Sequence, residues 1–334
     1  MSATMKHTTF LMAAMGLMAL AGCGKNTGFL IKPVPLDETL QETVIAKDSG
    51  MFVRDKIVIV DVDGLLMNVK DSELFGTGEN PVSLFIEKLD KAQMDKDVKG
   101  VVLRINSPGG GVTASDIMYH RLRQFKAAKG VPVVCVIEDV GASGGYYIAC
   151  GSDRILAHPT SVTGSIGVIV QAVSFAGTLE RLGISAKAIT SGQFKDMGSP
   201  LKPFNKKDHE LLQLLVNEYY EGFVGVVCAG RPKLSKDKVR ELADGRVYTG
   251  KQALAAGLVD ELGYMDNAIA QAKQRSGSSR VKVVMYHRPL GYKPNAYAAS
   301  GVPQVNMVNV RLPALMELAQ PQFLYLWTGS AAQR

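Results

Sequence analysis

An alternation of strand-like and helix-like periods runs through the middle of the chain and limits the folds that it can adopt. Residues 56–62 and 98–105 are short β-branched runs, which are typical of buried strands. Pro81 opens the helical segment between them, and proline is favoured at the first position of a helix. Residues 113–129 carry an apolar helical face, and Gly130 follows as a helix-ending residue. Strand, helix and strand at this spacing predict an α/β core with parallel strands.

The same alternation continues towards residue 286 and predicts one catalytic domain. The further elements expected are strands at 132–137, 154–157, 168–170, 185–189 and 281–286, and long helices at about 206–229 and 264–275. Residues 290–334 lose the periodicity and are predicted to be an extended C-terminal tail. The apolar run 323–327 within this tail is expected to pack on a neighbouring copy of the chain, because a lone chain would leave it partly exposed.

The composition excludes several classes of protein. The chain has 334 residues, of which 46% are hydrophobic and 21% charged, so it can bury a large core and is not disordered. Its 4 cysteines are too few for a disulfide scaffold. The net charge of +7 is spread without a dense Lys/Arg block, which indicates an evenly solvated surface rather than a nucleic-acid groove. We expect no nucleic-acid partner, no metal and no other cofactor.

The amino terminus has the organisation of an export signal. A basic start precedes an apolar stretch, residues 10–22, that is shorter than the roughly 20 residues a membrane-spanning helix needs. The ending Leu-Ala-Gly before Cys23 resembles the lipobox of bacterial lipoproteins, in which the cysteine is lipidated and the signal is cut before it. Residues 1–22 are therefore predicted to be a lipoprotein-type signal peptide, and Cys23 the lipidation site. An ordinary cleaved signal with an incidental cysteine is the alternative.

This terminus also predicts where the protein works. Several acyl chains on one cysteine would supply the multiple lipid signals that stable anchoring requires. Residues 23–50 show no clear period and are expected to form a tether between the lipid and the folded part. We therefore expect a membrane-anchored lipoprotein on the extracytoplasmic, periplasmic side of a bacterial membrane.

Two glycine-rich loops follow predicted strands, where chemistry gathers in α/β sheets. The first covers residues 104–111 (RINSPGGG) and the second residues 141–147 (GASGGYY). Glycines let the backbone approach a ligand closely and leave amide N–H groups free to point at it. A helix that starts after Ser143 would aim its first N–H groups at the same place, where an oxyanion can develop. Ser143 is the candidate nucleophile, and an ordinary serine N-cap is the simpler alternative.

The residue patterns alone do not decide which side chain is the base that would activate this serine. Residues 141–145 fit the Gly-x-Ser-x-Gly elbow of α/β-hydrolases, which requires a histidine further along the chain. His158, His209 and His287 lie downstream, but none has a glycine-rich setting or an obvious acidic partner. A histidine-dependent esterase therefore stays an alternative.

A lysine can serve as the base instead when its amine is neutral, which burial without a paired acid favours. The candidate is Lys195, because its loop, residues 190–200, contains two glycines and follows a predicted strand, so that it can fold over a cleft. Asp196 beside it argues for a charged surface pair unless the two side chains diverge.

Five sequence blocks carry a resemblance to one known family, in the order that the family shows. The blocks are residues 104–110, 142–149, 163–168, 191–200 and 244–260. They resemble bacterial signal peptide peptidase A, and the resemblance covers about residues 55–287. It implies a Clp-protease/crotonase-like fold of repeated strand-and-helix turns, with a Ser–Lys peptidase domain over residues 51–289.

The resemblance also implies a role for each residue that matches a family position. Ser143 is the nucleophile of a Ser–Lys dyad, and Lys195 is its general base. Ser165 hydrogen-bonds the lysine amine and helps to hold it. The backbone N–H groups of Gly110 and Gly144 form the oxyanion hole. The residue pattern gave the first glycine loop no role, and the resemblance assigns it part of the oxyanion hole.

The family cleaves apolar peptides, notably signal peptides left in the membrane after export. Members of this size form rings in which neighbouring protomers build the cleft, so peptide substrates and a homo-oligomeric ring are implied. Two departures are that family members usually carry an amino-terminal membrane helix, where this chain has a lipobox, and that the tail beyond Pro289 is not covered. The alternatives are a lipid-anchored scaffold without activity and a crotonase-type acyl-CoA enzyme, which needs neither dyad residue.

Overall fold

The computed structural model of the chain describes residues 39–68, 79–288 and 322–328. The predicted signal peptide, Cys23 and most of the tether lie outside these ranges. The chain divides into two units, and the second begins at Leu40. In the ranges described, no helix is both long and apolar enough to cross a membrane.

The described elements alternate between strands and helices along the chain. The strands are β1 (Gln41–Lys47), β2 (Lys56–Leu66), β3 (Val98–Gly111), β4 (Val133–Ala142), β5 (Arg154–Ala157), β6 (Val162–Gly164), β7 (Ile169–Gln171), β8 (Val247–Thr249), β9 (Glu261–Leu262), β10 (Lys282–His287) and β11 (Gln322–Leu326). The helices are α1 (Pro81–Met94), α2 (Val112–Lys129), α3 (Gly144–Ala149), α4 (Ala176–Arg181), α5 (Lys206–Gly230), α6 (Lys236–Leu242), α7 (Gly250–Ala255) and α8 (Met265–Ser276). The predicted alternation is confirmed over most of its length.

The strands form a mixed sheet whose centre is parallel. Its order is β1-β10-β2-β3-β4-β5-β9, and β1 is the antiparallel edge strand. The neighbours β2–β3, β3–β4 and β4–β5 are all parallel, as the strand–helix–strand spacing predicts. Beyond the main path, β6 pairs with β4 and with β8, while β11 pairs with β3 and with β7. The result is the α/β fold of strand-and-helix turns that was expected.

Both faces of this sheet are buried, which explains why the central strands are continuously apolar. On one face Val58, Val60 and other alternate residues pack in the core beneath α1, α2 and α3. On the opposite face Ile57 and Ile59 pack against the small side chains of α8. Successive residues of a strand point to opposite faces, so one apolar run supplies two cores.

Helix ends follow the signals in the sequence. The Asn80 side chain accepts hydrogen bonds from the amides of Val82 (3.0 Å) and Ser83 (3.1 Å) and so caps α1, which then begins at Pro81 as predicted. Gly130 ends α2 in the left-handed conformation, with φ of 66°. A residue with a β-carbon would be strained there.

The structure differs from the predicted elements in three segments. Residues 185–189 form no strand, because this exposed segment has no partner strand. The predicted tether contains β1, which pairs with β10, so the folded part begins before residue 51. The predicted extended tail contains β11, which pairs with strands of its own chain rather than requiring a neighbouring copy.

Candidate active site

Ser143 lies at a strained turn between β4 and α3. Its φ of 53° and ψ of −116° are unusual for a residue with a β-carbon, and its backbone amide donates to the Gly164 carbonyl oxygen at 2.8 Å. The serine occupies the N-cap position of α3, but its hydroxyl makes no capping hydrogen bond. It is only 1% exposed. A role as an ordinary cap therefore does not account for this serine.

The glycines after the serine allow α3 to press against the first glycine loop. A β-carbon on Gly144 would stand 2.4 Å from the Ser115 hydroxyl oxygen, and one on Gly145 would stand 2.8 Å from the Ser107 carbonyl oxygen. All six residues of α3 are buried. Only glycine fits at these close approaches, so the GG pair after the nucleophile is a packing requirement.

The first glycine loop is an extension of β3 rather than a free turn. Ser107 holds it in place, since its hydroxyl donates to the Gly64 carbonyl oxygen at 2.6 Å and accepts from the Gly109 amide at 3.0 Å. Gly109 has a φ of 101°, and a β-carbon on it would stand 2.6 Å from the Gly144 amide nitrogen. The two glycine loops are therefore in contact, and Gly110 and Gly144, the predicted oxyanion-hole residues, lie in these touching segments.

Ser165 lies one residue from the backbone bond that holds the nucleophile. Gly164 accepts the amide hydrogen of Ser143, and Ser165 follows it with a φ of 48° and 7% exposure. The Ser165 amide donates to the Arg246 carbonyl oxygen at 2.8 Å, which ties this turn to the segment before β8. The turn thus brings the predicted supporting serine to the same end of β4 as the nucleophile.

Lys195 lies in a very different environment, on an exposed loop. Among the described residues its ammonium group has no hydrogen-bond or ion-pair partner, and no described contact joins it to Ser143. Asp196 pairs instead with Lys202 at 2.7 Å, so the side chains of the adjacent lysine and aspartate diverge. The surface pair that the sequence left open is absent, but the described chain does not bring the predicted base to the predicted nucleophile.

Lys195 belongs to a segment, residues 172–205, that we call the arm. Its helix α4 buries no residue. The arm is closed at its base by the Phe175 amide, which donates to the Pro200 carbonyl oxygen at 2.7 Å. Large apolar side chains are exposed along it, namely Val173, Phe175, Leu182, Ile184, Ile189, Phe194, Leu201 and Phe204. Exposed apolar side chains at this density are typical of an interaction surface.

Sequence reasoning missed that the tail contributes to the site. β11 lies antiparallel to the glycine end of β3 and also pairs with β7. Its Tyr325 is buried, at 2% exposure, and burial raises the pKa of this phenol. The run Phe-Leu-Tyr-Leu-Trp is rich in aromatic residues, which favour strands, so its composition carried the signal.

The three downstream histidines take no described part in the site. The His287 ring contacts the Thr43 hydroxyl at 2.6 Å and the Arg288 carbonyl oxygen at 2.7 Å. The His158 ring packs on Tyr264, and burial lowers its pKa. His209 lies in the first turn of α5. No described contact links any of them to Ser143, so the structure gives the esterase alternative no support.

A buried serine at a strained strand-to-helix turn, in contact with a second glycine loop at one end of a largely parallel sheet, is typical of the nucleophile of a serine hydrolase. Residues 125–279 match Peptidase family S49. A protein described as a signal peptide peptidase SppA, from Enterococcus faecium, is 38% identical over 250 residues, which cover 75% of this chain and 70% of that protein. The chain belongs to this family of peptidases, and it is a serine-type endopeptidase.

Two further comparisons cover a similar share of this chain. A protein described as a protease, from Methanocaldococcus jannaschii, is 37% identical over 213 residues, or 64% of this chain and 68% of that protein. A solved structure of a mutant membrane-bound stomatin-specific protease, in complex with a substrate peptide, aligns with a TM-score of 0.44 and 15% identity. That alignment covers 66% of this chain and 81% of the solved chain.

Proposed function

We propose that this peptidase cleaves apolar peptides, among them signal peptides released after export, with Ser143 as nucleophile and Lys195 as general base. The observation that carries the proposal is the environment of Ser143. This serine is buried, its hydroxyl makes no capping hydrogen bond, and its backbone is held at a strained turn beside the first glycine loop. Strain of this kind is retained where function needs it. Gly110 and Gly144 donate their amides to the oxyanion, and Ser165 steadies the lysine amine.

The base comes from a second copy of the chain. Within one chain Lys195 is exposed and has no described contact with Ser143. The arm that carries it exposes a series of large apolar side chains. Burying the arm against a neighbour would remove this surface from water and would desolvate the lysine, which favours its neutral form. In a closed ring of head-to-tail contacts, each copy packs its arm on one neighbour and receives the arm of the other neighbour. No arm is then left exposed.

The test measures cleavage of an apolar fluorogenic peptide by the full chain in detergent. Ser143→Ala and Lys195→Ala should each lower kcat/KM by about 10⁴-fold or more, since dyad members act as a unit. The matched control is Lys187→Ala, which removes another exposed lysine of the same arm. Unchanged turnover in Ser143→Ala would contradict the assignment of the nucleophile. A wild type inactive on every peptide tried would favour the scaffold alternative.

Mixing the two inactive variants tests whether the dyad is shared between copies. Ser143→Ala supplies an intact lysine and Lys195→Ala an intact serine. After dissociation and reassembly together, mixed assemblies should recover a fraction of wild-type activity. Each variant reassembled alone should stay inactive. Failure of the mixture to recover activity, in assemblies shown to contain both variants, would indicate that the base and the serine belong to one chain.

The protein works at the extracytoplasmic face of a membrane, where Cys23 carries its lipid anchor. The support is the sequence Leu-Ala-Gly-Cys at the end of a short apolar stretch. Cys23→Ser should move the protein from the membrane fraction to the soluble fraction. Cys228→Ser is the matched control, because this cysteine is free and lies in the folded part. Membrane association that survives Cys23→Ser would point to another anchor.

A further inference from the structure

The loop that carries Lys195 is folded into tight turns, although its outer surface is exposed. Backbone hydrogen bonds close these turns, and the donating amides belong to Lys195, Met197, Ser199 and Lys202. Gly198 and Pro200 are buried within the loop. Lys195 and Lys202 therefore stand at the two ends of one compact segment.

Lys202 connects three segments of the chain. Its ammonium group lies 2.7 Å from a carboxylate oxygen of Asp196 in the loop. The same group lies 2.7 Å from a carboxylate oxygen of Asp208, in the first turn of α5. Its backbone carbonyl oxygen accepts a hydrogen bond from the Ser174 hydroxyl at 2.7 Å, near the start of the arm. One lysine thus fixes the loop both to α5 and to the base of the arm.

Asp208 is a well-held partner for this lysine. It is 5% exposed, and its amide donates to the Asn205 side-chain oxygen at 2.9 Å. Burial opposes its ionisation, but hydrogen bonds, first among them that from Lys202, outweigh the burial and hold the pKa of Asp208 below its usual value. Hydrogen bonds to Asp196 and Asp208 in turn raise the pKa of Lys202. Lys202 and Asp208 are therefore both charged at neutral pH.

The ion pair decides which partner the Asp196 carboxylate has. Asp196 directly follows Lys195, and a carboxylate close to an amine favours the charged form of the amine, which cannot accept a proton. In the structure this carboxylate contacts Lys202, and no described residue forms an ion pair with Lys195. Lys202, held by Asp208, thereby keeps the acidic residue of the loop away from the predicted base.

The other charged groups at the start of α5 do not take the place of Asp196. Lys206 pairs with Glu210 at 3.8 Å along the helix. Lys207 and His209 are exposed in the same turn and are not acids. Asp196 is therefore the neighbouring acid whose release would change the charge state of the base.

We propose that Lys202 and Asp208 are positioning residues of this peptidase, which hold the Asp196 carboxylate away from Lys195 and so leave that lysine able to act as the base. The inference rests on the proposed function, because it concerns the base of the same dyad. Both residues act through Asp196 and take no part in the reaction themselves. The arrangement also explains how an acidic residue can directly follow the base in the sequence without pairing with it.

The pH dependence of kcat/KM on an external apolar fluorogenic peptide tests the proposal, with the full chain in detergent. Wild-type activity should rise with pH as the base loses its proton. Lys202→Met removes the ammonium group and frees Asp196 to pair with Lys195. The acidic limb of the profile should then move to higher pH by about one unit, because a nearby opposite charge stabilises the protonated amine. At a pH on this limb, kcat/KM should fall about tenfold.

Rescue separates a positioning role from a merely structural one. Lys202→Met combined with Asp196→Asn should return the limb to its wild-type position, because no acid is left beside Lys195. Lys202→Arg should keep the wild-type limb, since arginine can still pair with both aspartates. Lys187→Met, which removes an exposed lysine of the same arm, is the matched control and should not move the limb. A limb that stays in place in Lys202→Met, or a shift that Asp196→Asn does not reverse, overturns the proposal.

A second background keeps the test decisive if the single variant folds poorly. Lys202→Met leaves the buried Asp208 carboxylate without its ammonium partner, which destabilises the fold. Lys202→Met with Asp208→Asn keeps this position neutral, and the same shift and the same reversal by Asp196→Asn are expected there. Lys195→Ala, assayed alongside, tests the proposed function itself. If activity survives Lys195→Ala, the proposed function fails; if activity is lost there but the limb is unmoved in both backgrounds, only the role of Lys202 and Asp208 fails.

Discussion

The two segments that supply the predicted dyad differ in almost every physical respect. Ser143 lies in a turn where the adjoining ends of β4 and α3 are buried, and a β-carbon on either of the two glycines after it would collide with backbone or side chain. Lys195 lies in the arm, where Ile189 is 100% exposed and a β-carbon on Gly192 would meet nothing within 4 Å. One half of the site is built by the fold of a single chain. Under the proposed function, the other half is ordered by a second copy of the chain.

This division has a physical reason. The strain at Ser143 persists only because the surrounding core determines the backbone there. A general base needs no such strain, but it needs an environment that disfavours its charged form. Under the proposed function, a surface that is dry only after assembly provides that environment and links activity to the oligomer. A free protomer would thus keep its nucleophile and remain inactive.

The largest expected effect is on the rate at which Ser143 reacts with a covalent probe. A fluorophosphonate probe should label Ser143 in wild type, and Lys195→Ala should slow the labelling by about 10³-fold, the usual contribution of a general base. Lys187→Ala should not change the rate. Dilution of wild type below its dissociation range should slow labelling to the same extent. Fast labelling of a diluted, monomeric wild type would show that Ser143 is activated without a lysine from another copy.

The second largest effect compares glycines in the two segments. Gly109→Ala forces a β-carbon to within 2.6 Å of the Gly144 amide nitrogen at a φ of 101°, so we expect it to lower the free energy of unfolding by roughly 3 kcal/mol or more. Gly192→Ala should change it by less than about 0.5 kcal/mol. Chemical denaturation of both variants measures the difference. Similar losses at the two positions would show that the arm is as tightly packed as the site.

A third effect tests the arm as an interface. Ile189→Asp should weaken assembly by about tenfold or more, which corresponds to about 1.4 kcal/mol, because it buries a charge in the contact. Activity should fall in parallel at limiting concentration. Met94→Asp is the control, since Met94 is 83% exposed but lies outside the arm, on α1. Light scattering gives the oligomer size, and an unchanged size in Ile189→Asp would exclude this part of the arm from the interface.

The smallest expected effect is a pH dependence of the free energy of unfolding that arises from a carboxyl group in the buried half of the site. Burial raises the pKa of Glu138, in the middle of β4, to about 7, with Arg104 opposing the shift. A carboxyl whose pKa is raised in the folded state stabilises the fold below the unfolded value near 4.5, and this contribution is lost as pH rises to about 7. Glu138→Gln should therefore gain about 1 kcal/mol relative to wild type between pH 5 and pH 7, after allowance for partial exposure.

Thermal melts across this pH range measure the difference between the variant and wild type. Glu180→Gln in the arm is the control, because it removes an exposed carboxyl group rather than a buried one. A constant offset between Glu138→Gln and wild type from pH 4 to pH 8 would contradict the titration of Glu138. The comparison uses differences because the many ion pairs of the protein also titrate.

Much of the fold could be predicted from local periods. The strands β2, β4, β5 and β10 and the helices α1, α2, α5 and α8 appear close to where the apolar patterns place them. The errors concern segments whose state depends on a distant partner. Residues 185–189 pair with no neighbouring strand, whereas β1 and β11 are strands because β10 and β3 offer them an edge. A one-dimensional pattern carries no information on such pairing.

The sequence by itself determined the alternation of the core, the glycine loops, and Ser143 and Lys195 as candidates for the dyad. Only the tertiary structure decided the rest. It bent the backbone at Ser143, brought Gly109 against Gly144, left Lys195 on an exposed arm and paired β11 with the glycine end of β3. Periodicity is a property of neighbouring residues, while strain, close approach and strand pairing arise between segments that are far apart along the chain and meet only when it folds.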